Sequence, residues 1–286
     1  MDKPEILERE QRFGRIAGFA GLLAIVLLFG SQLIPLGDVV NEDNAESLAA
    51  VPENRGNLLA ASILTALAQI MIAAPLWAMF EAACARSQQM RRALIGLAIA
   101  GPLFAAAATL AGYFALDAAA DAFLDPANGF DLASNDDADQ ALDDQGVRQL
   151  ALGLGSAAGI SLVVSIVYIS LHAMRVGLMS RFWGTLSMAL GVALLLPGFS
   201  LLSLPIVIGA YSLLLSGLWP GSRPPAWETG QAEAWPKPGD SPPSGDGDGE
   251  QPARPEDFEG SADELSSERP GRRDNKRKRK RKQRGQ

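Results

Sequence analysis

Glu81 and His172 are the one pair of titratable side chains placed where neighbouring helices could bring an acid and a base together beside an apolar interior. Glu81 directly follows the uncharged run Asn57 to Phe80. His172 lies near the end of Gln149 to Ala173, which holds no other Asp, Glu, Lys, Arg or His. A carboxylate and an imidazole within hydrogen-bond reach can serve as general base and acid, and such a pair is the least that an intramembrane enzyme would need. The simpler reading makes each an interfacial residue paired with Arg86 or Arg175.

Other catalytic and metal chemistries find no residues to carry them. A zinc protease helix needs two histidines at H-E-x-x-H spacing, and the chain has one. Cys84 is the only cysteine, so neither an intramolecular disulfide nor a thiolate metal cluster can form. Gly153-Leu154-Gly155-Ser156-Ala157 has part of the pattern of a serine-nucleophile turn, but His172 stands about four turns further along the same helix. A proton cannot pass over that distance. Asn135, Asp137 and Asp139 begin like a calcium loop, yet Gln140 replaces the required glycine and Gly146 the final glutamate. A solvated acidic segment is expected there, and no cofactor or metal anywhere.

The third concentration of chemistry is charge. Arg272, Arg273, Lys276, Arg277, Lys278, Arg279, Lys280, Arg281, Lys282 and Arg284 form a nearly unbroken basic block within residues 269–286. It follows a Pro-, Gly- and Asp/Glu-rich stretch, residues 220–268, too poor in aliphatic side chains to offset its ordering entropy. A disordered tail from residue 220 is expected, with Trp227 and Trp235 resting at a membrane interface. The simplest reading of the block is a solvated, solubilising or retention end; next is binding to anionic inner-leaflet lipid, where each residue near the surface gains about 1 kcal/mol. RNA or a ribosome would be held by the same counterion release. Without interleaved aromatics for base stacking, sequence-specific nucleic-acid binding is not expected.

These residues are positioned by long apolar runs, each close to the roughly 20 residues that cross a hydrocarbon core about 30 Å thick. An all-α, polytopic transmembrane bundle of six helices is expected, at about 14–36, 57–80, 93–116, 149–173, 182–196 and 199–219. The last two come from one apolar run, Phe182 to Trp219, divided at Pro197-Gly198. One kinked helix plus an interfacial stretch is the other reading of that run. The first helix reads as a retained signal anchor, since no small-x-small cleavage site closely follows Phe29.

Basic residues orient the chain. The formal net charge of −7 hides a sharp partition. Lys3, Arg9, Arg12 and Arg15 lie at the N-terminus, Arg86, Arg91 and Arg92 between the second and third helices, and Arg175 and Arg181 between the fourth and fifth. The rule that such residues stay on the cytoplasmic side puts both termini in the cytoplasm of a plasma-membrane protein. The acidic loops 37–56 and 117–148 then face outward. Within the membrane, Gln69 and Thr109 could hydrogen-bond across helices, and Pro75 and Pro102 could kink theirs and leave a cavity. Gly14 and Gly18, Ala108 and Gly112, and Gly155 and Gly159 are spaced for close helix packing.

The stretch Ile166-Val167-Tyr168-Ile169-Ser170-Leu171-His172-Ala173-Met174-Arg175-Val176-Gly177-Leu178-Met179-Ser180-Arg181-Phe182-Trp183-Gly184-Thr185-Leu186, with Gly191 beyond it, resembles the late helix–loop–helix of a bacterial six-helix membrane family of unknown function. Arg15-Ile16-Ala17-Gly18 is similar to that family's start, while Ser180-Arg181 stands where the family has Pro-Arg. The resemblance implies six helices in a prokaryotic plasma membrane and no site residue. A non-enzymatic scaffold or regulatory protein with a polyanion-binding tail is the leading expectation. A small transporter or channel for an apolar or neutral solute is the alternative, and the oligomeric state is not encoded legibly.

Overall fold

The computed structural model describes residues 3–36, 39, 43–196, 198–220 and 224–233, and every regular element among them is helical. In chain order these are α1 (Lys3–Gln32), α2 (Asn44–Arg86), α3 (Ile95–Leu124), α4 (Asn135–Asp143), α5 (Gly146–Arg175), α6 (Arg181–Ala193), α7 (Ser200–Ser216) and α8 (Pro225–Thr229). Among the described residues, four segments are long and apolar enough to cross a membrane: Gln11–Gln32, Asn44–Arg86, Arg92–Leu124 and Gly146–Arg175. The expected split of residues 182–219 appears as α6 and α7, but with 13 and 17 residues they measure only about 20 and 26 Å. Pro197 itself lies outside the described residues; Gly198 beside it takes a left-handed φ of 80°.

The helices close into a ring. α1 packs on α2 and α7, α2 on α3, α3 on α5, α5 on α6, and α6 on α7, with α2 also reaching α5 and α7 across the interior. Glycine permits the closest of these approaches. A Cβ on Gly18 would lie 2.7 Å from both Ser212 O and Ser216 N of α7, so any side chain there would force α1 away. Tyr211 of α7 is fully buried, its hydroxyl 2.7 Å from Ser170 Oγ and 3.3 Å from the Ile166 carbonyl of α5. Much of the bundle's outer surface is apolar and exposed, including Phe19, Val26, Phe114, Ile160 and Leu202, as lipid-facing helix surfaces require.

Both segments expected to be acidic loops are largely helical. α2 has 43 residues, about 64 Å and so roughly twice a hydrocarbon core. It begins at Asn44 because Asp43 caps it, its carboxylate accepting from Ala45 N, and Asn135 of α4 accepts from the same amide at 3.0 Å. α3 runs on to Leu124, and α4 is capped by Ser134, with Asp136 and Asp137 in its favourable first turn. These ends enclose a second core of Leu48, Val51 and Phe123 with Ala119, Ala120, Ala138 and Ala141. Such a cap has no charge-free run, because its polar faces are charged and only its inner stripe is apolar.

At the opposite, arginine-bearing end, the expected disorder from residue 220 begins too early. Residues 224–233 fold back, with Ala226 and Trp227 buried in the main core. Trp227 was expected at an interface; instead its indole fills a protein pocket and its N–H finds a carbonyl.

Candidate functional site

Between α1, α2, α3, α5 and the α6–α7 turn lies a cavity of about 420 Å³. Its walls are Leu28, Phe29 and Gln32 of α1; Thr65, Gln69 and Ile72 of α2; and Pro102, Ala105, Ala108 and Thr109 of α3. Gly155, Ala158, Gly159 and Leu162 of α5 and Leu194, Leu201, Leu204 and Pro205 around the turn complete them. None of these side chains ionises.

The cavity follows from helix lengths. Gln69, Thr109, Leu162 and Leu194 lie about 20 to 25 Å along their helices from the arginine-bearing end, at 1.5 Å per residue. That is where α6 ends, at Ala193, and the chain turns into α7, so beyond it α1, α2, α3 and α5 continue without α6 and α7 beside them. Leu195, Leu196, Phe199, Leu201 and Leu202 at the hairpin tip are exposed and apolar. The backbone there is nonetheless bonded: Leu195 N donates to Val192 O at 3.1 Å, Leu196 N to Ala193 O at 3.0 Å and Phe199 N to Leu196 O at 3.2 Å. Small residues widen the space further, since a Cβ on Gly159 would meet no atom within 4 Å and one on Gly155 only Ala108 Cβ, at 3.9 Å.

Polar atoms in the cavity wall are few, and the hydroxyls are tied to their neighbours. Thr109 Oγ1 is 3.0 Å from Gln69 Oε1 and 3.0 Å from the Ala105 carbonyl. Thr65 donates to Ser31 Oγ at 3.0 Å, and Ser31 donates to Leu28 O at 2.8 Å. The interhelical Gln69–Thr109 contact and the cavity at Pro102 were both legible in the sequence; Pro75 packs instead toward Gly21.

Glu81 and His172 are not joined by a hydrogen bond. Glu81 is exposed, whereas His172 is buried with its Nδ1 3.3 Å from Ser87 Oγ and its ring 4.5 Å from that of Tyr168. The tyrosine hydroxyl in turn accepts from Arg91 N at 2.8 Å. α2 and α5 therefore meet here through the Ser87 hydroxyl and the stacked rings of Phe80 and Tyr168, centroids 6.4 Å apart, and the helix faces that meet exclude the glutamate. Such an arrangement orders the loop after α2.

A clasp covers the same end. Trp227 Nε1 donates to Leu178 O at 3.2 Å, Arg86 Nε donates to Ala226 O at 3.0 Å, and the Arg86 guanidinium lies 5.6 Å from the Trp227 ring centroid. Glu233 N donates to Val176 O at 3.3 Å, beside Gly177, whose φ of 76° and contact with the Glu233 backbone leave no room for a side chain. The basic block, Arg272 to Arg284, and Trp235 lie outside the described residues. Among those described, no group of three His, Cys, Asp or Glu could hold a metal ion.

No protein-family model, curated protein or solved structure matches the chain. Its own geometry has to carry the functional reading.

Proposed function

We propose that this chain is a multi-pass plasma-membrane protein whose bundle binds a small uncharged solute, as a carrier or channel would, in the cavity beyond the α6–α7 hairpin. The observation that carries the reading is a solute-sized space ringed by apolar, hydroxyl and amide groups alone. A charged solute would find no compensating group there, and charge at that depth is costly. Purified protein should melt at higher temperature with some members of a panel of small neutral alcohols, amides and ketones, and not with their charged counterparts. Gly159→Leu, which projects into the open space, should abolish the shift. Flat melting curves across the panel would sink the reading.

The proposed topology keeps both termini cytoplasmic and the acidic cap outside. It is supported by the arginines at one end of the bundle and the acids at the other. Four full crossings plus a hairpin that enters and leaves on one face give the same sidedness as six crossings, because each count is even.

A second reading, in which the tail docks on anionic lipid or RNA, is favoured by the clasp. The fold-back of residues 224–233 ties the root of the tail to the arginine-bearing end, the side on which inner-leaflet lipid would lie. Deleting residues 237–286 should reduce RNA co-purification and binding of anionic vesicles. An unchanged result for both would remove it.

A further inference from the structure

We infer that the cavity recognises an uncharged lipophilic molecule bearing a carbonyl or ether oxygen, through a hydrogen bond donated by the Gln69 side-chain amide. This rests on reading the cavity as a solute site. The polar groups of the wall decide the chemistry. Thr65 and Ser31 hand their protons along a chain that ends on Leu28 O, so neither hydroxyl has a donor left over. Thr109 has one proton for two acceptors, Ala105 O and Gln69 Oε1, each at 3.0 Å.

Gln69 differs because its terminal amide carries two N–H donors. With its oxygen toward Thr109, both N–H groups lack a partner among the described residues. Turned the other way, one N–H donates to Thr109 and the other is still unpaired. In either orientation a donor is left at the wall of a cavity whose lining is mostly apolar, Ile72, Leu162 and Leu204 included. An unpaired amide N–H beside hydrocarbon is unfavourable, and a ligand acceptor relieves it. Gln32, the last residue of α1, lies at the outer rim where water can serve it. The ligand therefore places its oxygen against α2 and its hydrocarbon along α5 and α7.

Full-length protein in zwitterionic nanodiscs would be photolabelled with two diazirine probes of equal length, a medium-chain ketone and the matching alkane, and crosslinks would be mapped by mass spectrometry. The inference predicts that the ketone labels cavity residues about five- to tenfold more than the alkane. Gln69→Leu, or Gln69→Met should the leucine variant not fold, would bring the ketone down to the alkane level. Equal labelling by both probes, unaffected at Gln69 but suppressed by Gly159→Leu, would overturn the amide recognition while leaving a solute cavity. Absence of cavity labelling by either probe would mean a space holding water or lipid only, and would overturn both.

Discussion

Thr109 of α3 and Gln69 of α2 face each other at 3.0 Å, Oγ1 to Oε1, within the charge-free stretches of the two helices. The contact joins the frame at the depth where the cavity opens. A hydroxyl and an amide can pair there without the desolvation that an ion pair would suffer.

The coupling between them should be modest. In a double-mutant cycle with Gln69→Leu and Thr109→Val, reversible unfolding in detergent micelles should give an interaction of about 0.6 to 1.7 kcal/mol, as for other interhelical bonds in membranes. A coupling indistinguishable from zero would mean that the two side chains do not pair.

Gly18 should tolerate no side chain. Gly18→Val places carbon against the α7 backbone and should cost about 1 to 3 kcal/mol by overpacking. Gly30, whose Cβ would meet nothing within 4 Å, is the control, and Gly30→Ala should leave the melting temperature essentially unchanged.

In the acidic cap, burial should outweigh charge. Phe123 is fully buried, so Phe123→Ala should cost about 3 to 5 kcal/mol. Arg55 lies 2.6 Å from Asp117 and also pairs with Asp121, but these groups are partly solvated. Asp121→Asn should cost less than about 1 kcal/mol, and added salt should shrink that difference further. Melting curves at low and high ionic strength check both.

The clasp should open as a unit. Trp227→Ala removes a buried indole and its hydrogen bond to Leu178 O, so backbone amides of residues 226–233 should exchange hydrogen faster while the bundle's interior is unchanged. Trp227→Phe, which keeps a ring but loses the N–H, should fall between. Equal exchange in all three proteins would show that the indole does not hold the segment.

Legibility in the sequence followed physical scale. Runs without charge announce a membrane frame, and Gln69, Thr109 and Pro102 stood out as polar or kinking residues inside it. The ends were hidden. Asn44 to Gly56 looks like a loop because its helix is amphipathic and short-ranged signals are weak, and only packing on Ala138 and Ala141 reveals its inner face. Trp227 sits among Pro, Gly and acidic residues that suggest disorder, yet a single large ring with a reachable carbonyl anchors its neighbours. His172 was legible as a singular residue, but its partner, Ser87, depends on how α2 and α5 are rotated. No local pattern encodes that rotation.

The central claim is a four-crossing frame closed by a hairpin that stops short, and sided cysteine labelling tests it most directly. In a Cys84→Ser background, Asp136→Cys, Phe199→Cys and Ser244→Cys would each be treated with an impermeant thiol reagent on intact cells, on opened cells and after denaturation. The account predicts labelling of position 136 on intact cells, of 244 only after opening, and of the hairpin tip at 199 only after denaturation. Labelling of 199 on intact cells would contradict it, because the hairpin would then cross the membrane and leave no space beyond its tip.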